Sequence, residues 1–158
     1  MRYINLLLLS LVLFSCEKKK NQVNSSSIVP KNGLLVLCEG LFQQNNTALS
    51  WVNFEDESID NQYFENKNGR LLGDTGNDME IYGGKIYIVV NVSSTLEVLD
   101  KATNVSLKQI DMKVNGVAKS PRQIKFHNGF GFITCFDGYV DVLDTATLTI
   151  TKRIKVGE

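Results

Sequence analysis

Chemistry in this 158-residue chain has to start from its nucleophiles, metal ligands and carboxylates, and these are few. There is one histidine, His127, and there are three cysteines, Cys16, Cys38 and Cys135. A Ser-His-Asp arrangement needs an imidazole held in a cleft, whereas His127 precedes Asn128-Gly129, a pair that marks a tight hairpin. It reads as a surface turn residue. Cys38 and Cys135 fall on strands of different repeat units, too far apart for the ~4.4–6.8 Å Cα spacing of a disulfide. They read as small buried thiols. Two thiols and one imidazole also lack zinc-ligand spacing. Gly83-Gly84-Lys85 has no upstream glycine at phosphate-loop spacing and no following Ser or Thr. Asp74-Thr75-Gly76-Asn77-Asp78 carries carboxylates but places glycine third, unlike a calcium loop, and reads as a turn between repeat units. Asp144-Thr145-Ala146 fits an O-glycosylation acceptor pattern, although Asp100 holds the same place one repeat earlier and points to turn capping instead. No catalytic residue, metal or cofactor is expected, and the chain reads as a non-enzyme.

The elements that carry these residues follow from composition. Seventeen Lys+Arg balance seventeen Asp+Glu, which removes the electrostatic case for a nucleic-acid partner. A hydrophobic content of 43% with 22% charged residues is that of a chain able to bury a core. Val, Ile, Thr, Phe and Tyr dominate, and Gly and Asn interrupt every few residues, which favours β-structure with many turns.

The N-terminus is of another kind. Arg2 precedes an apolar run from Ile4 to Phe14. As a helix it would span roughly 16 Å against about 30 Å of hydrocarbon, so it reads as the apolar region of a secretory signal. Its end, Leu13-Phe14-Ser15-Cys16, resembles the lipobox of bacterial lipoproteins. That resemblance implies a signal peptide over 1–15, a diacylated Cys16 and anchorage to a membrane. Residues 16–32, with Lys18-Lys19-Lys20 and Ser25-Ser26-Ser27, read as a flexible tether. The expected location is the outer membrane of a Gram-negative cell, on its surface or periplasmic face.

The remainder is a repeat. Gly84-Lys85-Ile86-Tyr87-Ile88-Val89-Val90 matches Gly129-Phe130-Gly131-Phe132-Ile133-Thr134-Cys135 at an offset of 45 residues. Leu96-Glu97-Val98-Leu99-Asp100 matches Val140-Asp141-Val142-Leu143-Asp144 at an offset of 44. A period in the mid-forties with about four short strands per unit predicts an all-β fold, a β-propeller. Blades are expected over about 33–69, 70–119 and 120–158, the first lacking its innermost strand. In the last, strands are expected over Arg122–Phe126, Phe130–Phe136, Tyr139–Leu143 and Leu148–Val156. The inner ones should be buried on both faces, and the outermost should alternate between Ile150, Ile154, Val156 and Thr149, Thr151, Lys155. About two and three-quarter blades cannot close a ring that needs 4–8, so an N-terminal fragment of a seven- or eight-bladed ring is expected.

The run from Pro121-Arg122 through Asn128-Gly129 to Gly138-Tyr139-Val140-Asp141-Val142-Leu143-Asp144-Thr145-Ala146-Thr147 resembles the YVTN or YncE-like propeller repeat. The stretch Asn68-Gly69-Arg70-Leu71-Leu72-Gly73-Asp74-Thr75-Gly76-Asn77-Asp78 and the opening Leu35-Val36-Leu37-Cys38-Glu39-Gly40 are similar to a subset of lipid-anchored propellers, the BtuG-type cobalamin-binding surface lipoproteins. Cys38 stands where that family leads one to expect Asn. The resemblance implies a ligand, cobalamin or another corrinoid, passed to a TonB-dependent transporter. In propellers, ligands meet the loops between second and third strands and the inter-blade connections. Here these are 39–47, 91–94, 136–139, 68–77 and 116–122, and Asn45, Asn91, Arg122, Phe136 and Tyr139 are the candidate ligand-binding residues. The alternative is an interaction scaffold or adhesin that holds a protein or glycan. A lactonase-like hydrolase would need carboxylates converging on a central channel, and Glu39 and Asp74 are too few.

Overall fold

The computed structural model describes residues 32–157. The signal segment, Cys16 and the tether up to Lys31 lie outside them. Among the described residues strand makes up 55% and helix 5%. Three antiparallel meanders follow one another. Blade 1 holds β1 (Gly33–Cys38), β2 (Ala48–Asn53) and β3 (Ile59–Asp60), followed by the helix α1 (Tyr63–Asn68). Blade 2 holds β4 (Gly76–Tyr82), β5 (Lys85–Val90), β6 (Thr95–Asp100) and β7 (Ser106–Asp111). A small hairpin, β8 (Lys113–Val114) with β9 (Val117–Ala118), leads to blade 3: β10 (Pro121–His127), β11 (Phe130–Cys135), β12 (Tyr139–Asp144) and β13 (Thr149–Lys155). In every blade each strand pairs with the next in sequence, as in a propeller, and no closed barrel forms among the described residues.

Local chemistry sets the turns. Asn128 and Gly129 both take positive φ, 47° and 83°, as a two-residue hairpin between β10 and β11 requires. Asn115-Gly116 does the same for the β8–β9 hairpin. In the β6–β7 and β12–β13 turns Asp100 accepts the N–H groups of Ala102 and Thr103, and Asp144 those of Ala146 and Thr147. Both aspartates are therefore turn caps.

Blade 2 is sandwiched. Ile86, Ile88 and Val90 of β5 pack towards blade 1 with Leu49, Phe64 and Leu72, while Tyr87 and Val89 pack towards blade 3 with Ile124, Ile133 and Leu143. Both faces of β5 are thus buried, each large side chain contributing about 1.5–3 kcal/mol. The helix α1, unforeseen in the sequence, inserts Phe64 into the first of these clusters, buries Tyr63 beside Trp51 with ring centroids 5.8 Å apart, and ends on Gly69 at φ 68°.

Both interfaces also enclose a carboxylate. Glu97, on the side of β6 that faces blade 1, binds the Arg70 guanidinium at 2.8 Å and the Ser106 hydroxyl. Asp141, on the matching position of β12, binds the Lys119 ammonium and Arg153 Nε. Arg70 and Lys119 both come from the connection that enters the blade.

Three expectations are corrected. Blade 3 does not bury both faces of its second strand: β11 alternates between exposed and buried positions, because only blade 2 covers it. The alternation along β13 changes phase, because a bulge sets Ile150 and Lys152 against consecutive partners on β12. Arg153 then turns inward to Asp141, and Ile154 and Val156 face out. Cys38 is exposed rather than buried, at the end of an edge strand.

Candidate functional site

Adjacent strands run in opposite directions, so the β5–β6 and β11–β12 turns and the inter-blade connections share one end of the stack. The 39–47 loop joins them there, held by Thr47 N–H on the Gly73 carbonyl at 3.0 Å and Gly76 N–H on the Glu39 carbonyl at 3.2 Å. Asp74 is the clasp. It is nearly buried, and its carboxylate accepts Gln43 N–H at 3.1 Å, Asn45 N–H at 2.9 Å and the Thr75 hydroxyl at 2.7 Å. The Thr75 hydroxyl, then the two backbone donors, hold its pKa below the ordinary carboxylate value. Gln43 and Asn45 sit at positive φ, 61° and 51°, so this clasp fixes a loop that side-chain sterics alone would not favour.

Further along the end, Ser94 Oγ donates to the Met112 carbonyl and accepts Lys119 N–H, and Phe136 N–H donates to the carbonyls of Lys119 and Ser120. One hydrogen-bonded rim thus links all three blades.

The sequence candidates take different places on this rim. Phe136 is 69% exposed, and the exposed Arg122 guanidinium lies 4.9 Å from its ring centroid. Guanidinium stacking on an aromatic face leaves its N–H edges available to a ligand. Tyr139 is partly buried beneath Arg153, whose guanidinium lies 4.0 Å from its ring and also binds Asp137. Asn45 is exposed, but its recorded contact is the backbone one to Asp74. Asn91 is a correction: it is 7% exposed, and its amide donates to the Pro121 carbonyl at 2.9 Å. It braces blade 2 against the start of blade 3 and offers nothing outward.

A further residue emerges from the backbone. Both innermost strands open with a β-bulge, between Gly76 and Asp78 in β4 and between Pro121 and Gln123 in β10. The bulged residues are Asn77 and Arg122, at matching repeat positions. Bulges re-aim side chains beside functional sites. Asn77 donates to Glu39 Oε1 at 3.2 Å, while its own Oδ1 has no partner. Sequence reasoning had placed Asn77 only at the end of a connection, because a bulge is a register property of two strands.

The other chemical candidates are accounted for by structure. Thr145 Oγ1 is nearly buried and donates to the Gly129 carbonyl at 2.7 Å, so it is not presented for glycosylation. Cys135 has its thiol pushed up to about 12, first by burial and then by the Asp141 and Asp137 carboxylates, which leaves it un-ionised at neutral pH. His127 ends β10 at the far end from Arg122. Among the described residues no group of three or more His, Cys, Asp or Glu could hold a metal ion. No helix there is long and apolar enough to cross a membrane.

A family model described as "Domain of unknown function (DUF5074)" matches residues 32–158. No curated protein matches the chain. Among solved structures, Kuenenia stuttgartiensis hydrazine synthase aligns over 70% of this chain and 31% of its own, with TM-score 0.52 and 15% identity. Sqt1 of Saccharomyces cerevisiae aligns over 82% of this chain and 31% of its own, with TM-score 0.54 and 14% identity. Both are propeller-type folds, and at these identities the likeness concerns fold alone. The chain spans about a third of the length of either.

Proposed function

The chain belongs to the DUF5074 family, and from that premise we propose that it is part of a cell-envelope β-propeller, anchored through a lipidated Cys16, that captures a ligand without transforming it. The observation that carries this reading is the exposed Arg122–Phe136 pair on the loop-bearing rim, where a bulge turns Arg122 out of the innermost strand. An aromatic ring with a guanidinium over it suits a ligand with a flat or apolar body and carboxylate, phosphate or carboxamide edges. The non-catalytic reading is supported by the un-ionised Cys135 and by the placement of the sole histidine at the opposite end.

A corrinoid, delivered to a TonB-dependent transporter, is the ligand that the repeat and lipobox resemblance suggests, and its ring of amides meets that description. The test is a calorimetric and spectral titration of the complete protein with cyanocobalamin. Saturable binding is expected, weakened roughly tenfold to a hundredfold by Arg122→Ala through the loss of a charged hydrogen bond of about 1.5–3 kcal/mol. No heat or spectral change at high micromolar concentration removes the corrinoid. Binding indifferent to both Arg122→Ala and Phe136→Ala removes the site.

A scaffold or adhesin is the second reading, and the exposed Leu41, Phe42 and Val117 on the 39–47 loop and the β8–β9 hairpin favour it. Those side chains would be the anchors for a protein partner. Capture of one defined partner that is lost on Phe42→Ser and unaffected by Arg122→Ala would support it over ligand uptake.

A further inference from the structure

The Arg122–Phe136 pair rests on two segments that blade 3 ties together, and the tie departs from the repeat. Phe136 opens the β11–β12 turn, and its N–H donates to the Lys119 and Ser120 carbonyls at 3.1 and 3.2 Å. Lys119 belongs to the connection that leads into Arg122, and its ammonium binds Asp141 Oδ2. Asp141 is fully buried, and its other oxygen accepts Arg153 Nε at 2.9 Å. Arg153, on the outermost strand β13, also binds Asp137, the residue after Phe136, and its guanidinium lies 4.0 Å from the Tyr139 ring centroid. These contacts close a circuit. It runs from the Phe136 backbone to Lys119, from Lys119 to Asp141, from Asp141 to Arg153, and from Arg153 back to the turn that carries Phe136.

Blade 2 is built differently at the same positions. Gln109 stands opposite Glu97 where Arg153 stands opposite Asp141, and Thr95 takes the place of Tyr139. The 91–94 turn is held through backbone groups, with Val92 and Ser93 N–H donating to the Asp74 carbonyl at 3.2 and 3.3 Å. What the two blades share is the strand end: Met112 N–H donates to the Ser94 carbonyl at 2.8 Å, and Val156 N–H to the Gly138 carbonyl at 2.9 Å. The repeat itself supplies one cation to each buried carboxylate, Arg70 to Glu97 and Lys119 to Asp141. Arg153 is an addition, and it is made in the blade that carries the exposed aromatic.

We infer that Arg153 is a positioning residue of the rim site: it fixes the Phe136 turn beside the Arg122 guanidinium, so that a ligand meets the pair already assembled. A guanidinium suits the task. Its planar fork holds a buried carboxylate through Nε and a surface carboxylate through a terminal nitrogen at the same time. A lysine ammonium is a single point charge and serves one of them. The entropy of ordering the turn is then spent when the chain folds and not when the ligand arrives, which is how preorganisation raises affinity. The consequence for binding rests on the capture of a ligand at Arg122 and Phe136, whereas the hold on Phe136 is a property of the free protein.

Two variants of the complete protein separate positioning from mere stabilisation. Asp137→Ser cuts the surface contact and keeps a turn-forming residue. Arg153→Lys keeps one cation on β13 while Lys119 stays on Asp141. Neither strands a buried charge, so both are expected to keep the wild-type urea midpoint, as exposed ion pairs contribute little. In both, exchange of the Phe136 amide proton is expected to quicken severalfold, with the Ser94 amide of blade 2 unchanged. A para-fluorophenylalanine placed at position 136 is expected to shift its fluorine resonance towards that of the unfolded chain. Cyanocobalamin is expected to bind either variant severalfold more weakly than the wild type. Phe136 amide and fluorine signals that stay unchanged in both variants overturn the inference, as does a loosened turn that leaves the affinity intact. A wild-type protein that gives no heat or spectral change with cyanocobalamin removes the corrinoid instead, and the Phe136 signals then decide the positioning by themselves.

Discussion

Asn91 and Arg122 stand within a few ångströms of one another through the Asn91–Pro121 hydrogen bond, yet they do opposite work. Asn91→Ala leaves the Pro121 carbonyl without its donor in a buried place, and a loss of about 1–3 kcal/mol in urea unfolding is expected. Arg122→Ala removes an exposed side chain, and a stability change within about 0.5 kcal/mol is expected alongside the weakened ligand binding. The sequence pattern around both is that of a loop, and turn chemistry uses asparagine whether its amide looks inward or outward. That is why Asn91 was legible as a rim residue but not as a brace. Asp74 carries a pH-dependent consequence. Its folded pKa lies below the ordinary value of about 3.9, so it contributes stability above that value and loses it as pH falls through the folded one. Amide exchange at Gln43 and Asn45 is expected to accelerate selectively as pH drops from 5 towards 3, after correction for intrinsic rates (roughly the carboxylate range). Asp74→Asn is expected to abolish that selectivity, and equal protection of these amides at both ends of the range would contradict the clasp.

At the scale of elements, the blades are keyed together by charge inside an apolar interface. Glu97 is fully buried, and among the described residues Arg70 is its one cationic partner, so Arg70→Ala strands a buried carboxylate. A loss of about 3 kcal/mol is expected, since breaking a buried pair by removing one partner costs about 3–5 kcal/mol and Arg70 is itself partly solvated. Lys119→Ala is expected to cost less, because Arg153 Nε remains 2.9 Å from Asp141. Chemical denaturation of the two variants side by side reads the difference, and an equal or reversed order would contradict the pairing. The strands themselves were plainly written: alternating apolar residues, Asn-Gly turns and the Asp caps put β10 to β13 within a residue or two of their observed ends. What escaped were register events. The bulges at Asn77, Arg122 and in β13 depend on which residue of a neighbouring strand lies opposite, and no single strand encodes that. The short helix α1 escaped because Tyr63-Phe64 reads locally as strand, and its burial against Leu49 and Leu72 is tertiary.

At the scale of the whole molecule, repetition stacks three blades so that one end gathers the loops and the matched bulges. The fold was legible because a period of 44 to 45 residues survives in turn and core positions alike. The ligand was not, because rim residues are free of that period. The most direct measurement is hydrogen exchange mapped along the complete protein with and without cyanocobalamin. Added protection is expected over 39–47, 68–77, 91–94, 116–122 and 136–139 and nowhere else. Protection confined to the opposite turns around Gly84, Asn104, Gly129 and Leu148 would contradict a binding site at the loop-bearing end.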